Sequence, residues 1–488
     1  MPDESKTSRS RSNWILAWVL SAIPLLGFWL TGLFDLDEGF YAAVSGEMLR
    51  RGDYITPYYN GFPWFEKPIL LYWFAAPSIA VFGEAVGPRL PSVLAALALY
   101  ALVGWFVKRE VSETAGQVAM VATATMLLVV LLARLMMTDM LLLLSLSAAL
   151  FLFYLSVKEN PNWRYLSFIA LGFSVHAKGP IGIGLMVIIA ALLYWRAPSL
   201  RQGFKGVWLL PSVLLVAVVA IWYLPAYIQN GDVFVQQFLI EQNIGRFLGG
   251  DEAHTLPFFP GVLFYIPIAL VGFAPWIFVT LSSLRKKNRQ PADPFQTFCW
   301  IWAGVVFVVF TLSAAKLPHY ILLMAPPIAI IAALRLTRTE SDSWSRGTKM
   351  MAIVTSLVLV FLVNFGQSLW YSQTHAGLHE LVRSVRHEDA SFSSYAMTKP
   401  EFETAQIGTS LQDTEHPSVL FYLNKTALLT STFDEVLELE TPIYVFTRTG
   451  RIGTEHKQKA QQEGVALEKL KETPDGFELY RITASSER

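Results

Sequence analysis

The feature that most constrains this chain is a succession of apolar runs. Each approaches the roughly 20 residues that an α-helix needs to cross a hydrocarbon core. About eleven stand out: 14–34, 90–107, 115–133, 139–157, 165–177, 180–195, 207–228, 258–284, 296–314, 319–336 and 350–370. Composition agrees. Hydrophobic residues make up 53% of the 488, charged residues 16%, and mean hydropathy is +0.42, against about 25% charge in a soluble domain. A soluble enzyme, a disordered chain and a fibrous chain are thereby excluded. Formal charge is 38 basic against 38 acidic, so no polycationic surface for nucleic acid is implied. The single cysteine, Cys299, rules out an internal disulfide framework and a cysteine-rich zinc site.

Charge is unevenly distributed. Residues 1–370 carry 26 basic and 20 acidic residues (46 of 370, about 12%), and residues 371–488 carry 12 and 18 (30 of 118, about 25%). The expected organisation is therefore an all-α polytopic membrane domain over 1–370, followed by a small α/β domain over 371–488 outside the cytoplasm. In the second domain, strand-like runs at Val419–Tyr422, Ile443–Phe446 and Phe477–Tyr480 alternate with a helical stretch near 455–464. The first apolar run follows basic residues without a small-residue cleavage site, and reads as a retained helix.

Lys and Arg in short loops set orientation. Eighteen fall on one set of alternate loops: Lys6, Arg9, Arg11, Lys108, Arg109, Lys158, Arg164, Arg196, Arg201, Lys205, Arg285, Lys286, Lys287, Arg289, Arg335, Arg338, Arg346 and Lys349. The opposite loops hold eight: Arg50, Arg51, Lys67, Arg89, Arg134, Lys178, Arg246 and Lys316. This places the N-terminus in the cytoplasm and, with an odd number of spans, the C-terminal domain outside. Residues 38–49 fit a helix lying on the membrane, with Phe40, Val44 and Met48 at helical spacing.

Six constellations could carry chemistry. Asp35-Leu36-Asp37-Glu38 suits a general base or a metal ligand, or equally a solvated helix cap. Glu66-Lys67 could hold a phosphate through the Lys or merely mark the interface. Arg134 and Asp139 lie between strongly apolar spans, where an ionisable residue is costly; they are functional or they close a tight hairpin. Lys178 sits in a short loop as a ligand or an anchor. The loop 241–254 holds Asn243, Arg246, Asp251, Glu252 and His254, and Arg246 can fork onto a phosphate. Lys316 and His319 close the set, as substrate contacts or interface residues. All six fall on the non-cytoplasmic side of a topology assigned mostly from cations on the other face. Together they suit a phosphate-bearing headgroup whose lipid tail stays in the bilayer. No GxGxxG or P-loop stands out, so no nucleotide cofactor is expected.

At this point the chain resembles a family. Asp37-Glu38-Gly39-Phe40-Tyr41, Gly52-Asp53-Tyr54, Asn60-Gly61 and Phe65-Glu66-Lys67-Pro68-Ile69-Leu70-Leu71-Tyr72-Trp73 look like the first outer loop of GT-C polyprenyl-phosphate-sugar glycosyltransferases. These are related to protein O-mannosyltransferases and to 4-amino-4-deoxy-L-arabinose lipid A transferases. Arg89-Leu90-Pro91-Ser92, Thr138-Asp139, Lys178-Gly179-Pro180, Asn243-Ile244-Gly245-Arg246-Phe247 and Lys316-Leu317-Pro318-His319-Tyr320 extend the match over about residues 35–335, in family order.

The resemblance implies an enzyme of the inner (plasma) membrane. It would move a sugar from a polyprenyl-phosphate carrier to a lipid, glycan or protein acceptor on the outer face. Asp37, Lys67 and Asp139 would be catalytic, with Asp37 as base or orienting group. Glu38, Tyr41, Glu66, Arg134, Lys178, Arg246, Lys316 and His319 would bind donor phosphate or substrate. Glu66 and His254 would be the ligands of a divalent metal ion. Phe40 stands where some relatives carry Arg, so acceptor or donor recognition is expected to differ. The rival readings are a transporter or lipid flippase, which should show mid-membrane charges and repeat symmetry, and a non-catalytic assembly protein.

Overall fold

The computed structural model describes residues 4–245, 261, 263–284, 293–337, 344–397 and 416–484. Most of each apolar run identified above falls on helix where it is described, although residues 26–34 of the first run leave the helix. Among the described residues, six helices are long and apolar enough to cross a membrane: Leu90–Glu110, Thr138–Lys158, Leu209–Asn230, Pro294–Leu312, Pro318–Leu336 and Arg346–Thr374. Two further runs are bent helix pairs, Glu113–Ala124 with Leu127–Ala133 at 66° and Tyr265–Gly272 with Trp276–Ser282 at 107°, which brings the number to eight if each pair is one span. The sequence suggests about eleven spans. The difference lies in short or polar helices: Trp163–Lys178 and Ile181–Arg196 have 16 residues each, and the first helix, Glu4–Ala22, begins in a polar stretch. The first bend has a local cause, since Met126 takes an extended backbone between the two helices. The second follows Pro275, which supplies no backbone N–H to continue the preceding helix.

The chain forms two compact units. The first comprises residues 1–28, 65–71 and 89–363, and the second 29–64, 72–88 and 364–488. In the first unit, Thr138–Lys158 is the central helix. It is apolar all round, and 83% of its most apolar window is buried, as expected for a helix surrounded by others. It packs on Trp163–Lys178, and Leu90–Glu110 packs on Glu113–Ala124. Two buried indoles find partners inside: Trp276 Nε1 donates to Thr125 Oγ1 at 2.9 Å, and Trp344 Nε1 to Gln117 Oε1 at 2.9 Å. The helix Leu90–Glu110 ends on Lys108 and Arg109, and Thr138–Lys158 ends on Lys158. Pairs Lys158–Glu110 (2.6 Å) and Arg109–Glu159 tie these basic ends together.

The second unit holds a five-stranded sheet in the order Leu428–Thr430, Ser391–Tyr395, Ile443–Arg448, Phe477–Ala484 and Val465–Glu472. The first three strands are parallel and the last two antiparallel to their neighbours. Val445, Ile443, Tyr480 and Ile482 form its core with Val436 and Phe433. A small sheet in the C-terminal segment is as the sequence suggests, but the runs marked there leave out Ser391–Tyr395, Leu428–Thr430 and Val465–Glu472, and residues 29–64 and 72–88 join the same unit. Val419–Tyr422 is not a strand but lies within the helix Ser418–Leu423. A short apolar run fits a buried helix as well as a strand. Here all six side chains are buried, and Asn424 in the left-handed region ends the helix.

The helix Asp37–Arg51 of this unit coincides with the expected surface helix, but its apolar face is not left to lipid. Phe40, Val44 and Met48 are buried against protein. Phe40 stacks on Trp64 (centroids 5.3 Å apart, 9° between planes), and the helix packs on Ser418–Leu423.

Candidate functional site

In the first unit a cavity of about 370 Å³ draws its charged groups from three chain segments. Glu66 and Lys67 come from the turn before the helix Leu70–Val86, Asp139 from the first turn of Thr138–Lys158, and Lys178 from the last turn of Trp163–Lys178. Gly179, with φ of +76°, ends that last helix and turns the chain into Pro180. Lys178 Nζ donates to Asp139 Oδ1 at 2.7 Å, and Lys67 Nζ to Glu66 Oε1 at 2.6 Å. His319 Nε2 lies 3.9 Å from Asp139 Oδ1. The Lys178 ammonium sits 5.2 Å from the ring centre of Tyr320, within cation–π range. Apolar residues, including Leu142, Ile181, Phe238, Phe310 and Leu323, complete the wall.

Asp139 is the incompletely paired member of this group. Its Oδ2 is buried and, among the described residues, has no hydrogen-bond partner. A buried carboxylate oxygen left unpaired costs stability, and in a cavity wall it is a seat for a donor on a ligand. The site thus offers two ammonium groups for an anion and one open acceptor, enclosed by apolar surface. It lies at the opposite end of the helix Thr138–Lys158 from Lys158, about 30 Å away at 1.5 Å per residue.

Several other sequence candidates have different surroundings. Arg134 is buried and donates from one guanidinium nitrogen to the carbonyls of Pro24 (3.0 Å) and Leu26 (2.5 Å). Lys316 donates to the carbonyls of Phe310 (3.1 Å), Thr311 (2.8 Å) and Ser313, capping the end of Pro294–Leu312. Both cations therefore hold backbone. Arg246 and His254 lie outside the described residues, so the metal pair Glu66–His254 is described only at Glu66. Tyr320 and Phe238 were not singled out individually from the sequence. Tyr320 had a signal, since it adjoins His319 in the Lys316–Tyr320 motif.

Asp37, Glu38 and Tyr41 belong to the second unit. Asp37 is the exposed first residue of its helix, and Tyr41 Oη donates to its Oδ1 at 3.4 Å. Glu38 is buried and accepts from the backbone N–H of Phe34 at 3.0 Å. Two residues before Asp37, a network of buried polar groups surrounds Asp35. Its Oδ1 accepts from Ser418 N (2.9 Å), and its Oδ2 accepts from Ser418 Oγ (2.6 Å) and pairs with His416 Nδ1 (2.9 Å). Asp35 N donates to His375 Nε2 at 3.0 Å. Burial pushes the Asp35 carboxyl up, but the hydrogen bond and charge of His416, with His375 and His379, hold it below its ordinary value. Burial pushes His375 down and His379 well down.

Asp35, His375 and His416 offer ligand atoms within 4.8 Å of one another, a spacing compatible with a metal ion. The hydrogen bonds do not favour one. Arg448 donates to His416 Nε2 (3.1 Å), so the proton of that ring is on Nδ1, where a metal would have to bind. The lone pair of His375 Nε2 is taken by the Asp35 amide.

Comparison with known proteins agrees with this architecture. The profile of the dolichyl-phosphate-mannose-protein mannosyltransferase family matches residues 66–223, which contain Glu66, Lys67, Asp139 and Lys178. An uncharacterized protein of Aquifex aeolicus is 30% identical over 342 residues, 70% of this chain and 75% of that one. The undecaprenyl phosphate-alpha-4-amino-4-deoxy-L-arabinose arabinosyl transferase of Aeromonas hydrophila is 27% identical over 375 residues, 75% of this chain and 67% of its own. The transferase of the same name from Shewanella sediminis is also 27% identical, and the match spans 60% of its length. Among solved structures, ArnT from Cupriavidus metallidurans, bound to undecaprenyl phosphate, superposes with a TM-score of 0.76 over 98% of both chains at 16% identity. The oligosaccharyltransferase of Archaeoglobus fulgidus, in complex with Zn and sulfate, superposes with 0.55 over 96% of this chain and 72% of its own at 12% identity. The chain belongs to the GT-C glycosyltransferase superfamily that includes the protein O-mannosyltransferases and the aminoarabinose lipid A transferases, and it is a multi-pass membrane protein.

Proposed function

We propose that this glycosyltransferase takes its sugar from a polyprenyl-phosphate carrier and passes it to a cell-envelope acceptor, a lipid A-like glycolipid, glycan or protein. The observation that carries the reading is the cavity in which Lys67 and Lys178 flank Asp139 with its open Oδ2. In this reading the two ammonium groups hold the phosphate diester. They stabilise the charge that grows on the leaving polyprenyl phosphate as the bond from the anomeric carbon to its oxygen breaks. Asp139 orients Lys178 and accepts from a sugar hydroxyl or amine, while Tyr320 and His319 line the sugar subsite. Asp37 takes the proton of an acceptor hydroxyl as that oxygen attacks, or orients an acceptor already anionic. Arg134 and Lys316 are assigned to holding the backbone. The sugar arrives activated as its phosphate ester, so the step needs no nucleotide. Glu66 and His254 remain the proposed pair for a divalent ion, which metal analysis of the purified protein tests. Whether the sugar is a pentose, as the names of the arabinosyl transferases say of their own donor, or a hexose is decided by the donor used in the assay.

The proposed topology has eleven spans in the inner membrane, with the boundary to the outer C-terminal domain at 370/371. Support comes from the placement of the basic helix ends and the cavity at opposite ends of Thr138–Lys158. Ionisable residues at helix ends also disfavour a transporter, whose charges belong near mid-membrane. The testing experiment is transfer from a purified polyprenyl-phosphate sugar by wild type and Asp37→Asn. The variant is expected to lose at least about 10²-fold in kcat. Undiminished transfer by Asp37→Asn would remove Asp37 from the chemistry.

A further inference from the structure

The segment leading into Asp37 is held by side chains from the other end of the sequence, and the hydrogen bonds there close completely. Asp35 carries three donors on its two oxygens: Ser418 N, Ser418 Oγ and His416 Nδ1. Ser418 Oγ gives its proton to Asp35, so it can only accept from His379 Nε2 at 3.0 Å. His379 Nδ1 then accepts from Tyr371 Oη at 3.0 Å. His416 Nε2 accepts from Arg448. His375 Nε2 accepts from Asp35 N, and its Nδ1 faces Thr374 Oγ1 at 2.5 Å. Each histidine thus has both ring nitrogens paired, and both carboxylate oxygens accept. A network with every member paired is rigid, and it specifies one arrangement.

Adjacent backbone is fastened to the same elements. Leu33 N donates to Tyr422 Oη at 2.8 Å, and Phe34 meets Tyr371 and His375 edge to face. Two glycines make the approach possible. A Cβ on Gly32 would lie 2.5 Å from Tyr371 Oη and 2.9 Å from His379 Nδ1. A Cβ on Gly39 would lie 2.1 Å from Asp35 Oδ1 and 2.6 Å from Ser418 N. Residues 32–39 are therefore clamped from both ends of the turn that delivers Asp37.

We infer that Asp35 is a positioning residue for Asp37: clamped by Ser418 and His416 of the C-terminal segment, it fixes the chain that enters the helix Asp37–Arg51. The C-terminal segment thereby acts in catalysis without touching substrate. This rests on the reading of Asp37 as base or orienting group. Misplacement of a reacting group by about 1 Å costs on the order of 10²-fold in rate, and a clamp two residues away controls displacements of that size.

The test is a double-mutant cycle on the purified full-length protein, using labelled polyprenyl-phosphate sugar as donor and measuring kcat and donor KM. Asp35→Asn is expected to lower kcat on the order of 10²-fold with donor KM within about twofold. Ser418→Ala is expected to lower kcat less, and Ser418→Thr, which keeps the hydroxyl, to restore it. In an Asp37→Asn background neither Asp35→Asn nor Ser418→Ala should cost anything further, because both act through Asp37. If Asp35→Asn does not yield folded protein, the Ser418→Ala arm carries the same cycle. Equal fold losses in both backgrounds, or a rise in KM with kcat intact, would overturn the inference while leaving the role of Asp37 standing. Full activity of Asp37→Asn alone would overturn the reading of Asp37 and this inference with it. One tightly bound zinc per wild-type chain, lost in His416→Ala, would also overturn it, since a metal would then hold Asp35.

Discussion

Replacing Lys178 by Gln probes the cavity most sharply, because it separates stability from chemistry. The Lys178 ammonium lies 2.7 Å from Asp139 Oδ1, and the Asp139 side chain is 5% exposed. Without the cation, Asp139 keeps only the more distant charges of His319 and Lys67, with Oδ2 already unpaired among the described residues. Breaking a fully buried pair costs about 3–5 kcal/mol because one charge is stranded. Lys178 borders the cavity with 19% of its side chain exposed, so water offsets part of this, and about 2–3 kcal/mol is expected. The purified variant should therefore melt at a clearly lower temperature in detergent. Removing the stranded charge should reverse that: Asp139→Asn combined with Lys178→Gln is expected to recover most of the melting temperature. Activity should not follow. Loss of a cation facing the leaving phosphate costs about 10²–10³-fold in kcat, and the double variant should stay at that level. Transfer by Lys178→Gln within twofold of wild type would refute the argument, as would a double variant that regains both stability and activity.

Three further outcomes follow. Gly39→Ala should destabilise the protein by about 1–3 kcal/mol, because its methyl meets Asp35 and the Ser418 amide inside contact distance; an unchanged melting temperature would contradict that packing. Acidification should weaken the fold in two stages. His375 and His379 have folded values below their ordinary 6.5, so the unfolded chain binds more protons and stability falls as pH drops below 6.5. Asp35, depressed below 3.8, contributes stability above that value, and its share is lost as pH falls through its folded value. Melting temperature followed from pH 7.5 to 4.5 measures the upper stage, which His379→Gln should flatten, and extending the series to about pH 2.5 measures the lower one. Reporter fusions after Lys205, Arg289 and Arg488 should read cytoplasmic, cytoplasmic and outside; a cytoplasmic signal at Arg488 would reverse the placement of the C-terminal domain.

Much of this molecule is written in local pattern. Apolar runs of span length became helices because burial and backbone hydrogen bonding act on contiguous stretches. Lys67, Asp139 and Lys178 were legible as ionisable residues at the edges of such runs, where a charge is costly unless it serves something. Their meeting in one cavity depends on helix packing, which no single run encodes. The strand expected at Val419–Tyr422 failed because four apolar residues carry no decisive period. Asp35 was visible only as part of an acidic quartet. What sets it apart from Asp37 is its set of partners, 340 to 383 residues away in the chain, and separations of that kind leave no local trace. Arg134 and Lys316 drew attention for the same reason as Lys178, but each is spent on carbonyls that a sequence does not place nearby.

The central claim is that the sugar comes from a polyprenyl-phosphate carrier. Its most direct test follows purified protein, a polyprenyl-phosphate-linked sugar and an extract of envelope acceptors by mass spectrometry. Free polyprenyl phosphate and glycosylated acceptor are expected in equal amounts, with both products abolished together in Lys67→Ala and Lys178→Gln. Carrier left intact while a nucleotide sugar is consumed, or translocated across the bilayer without cleavage, would contradict it.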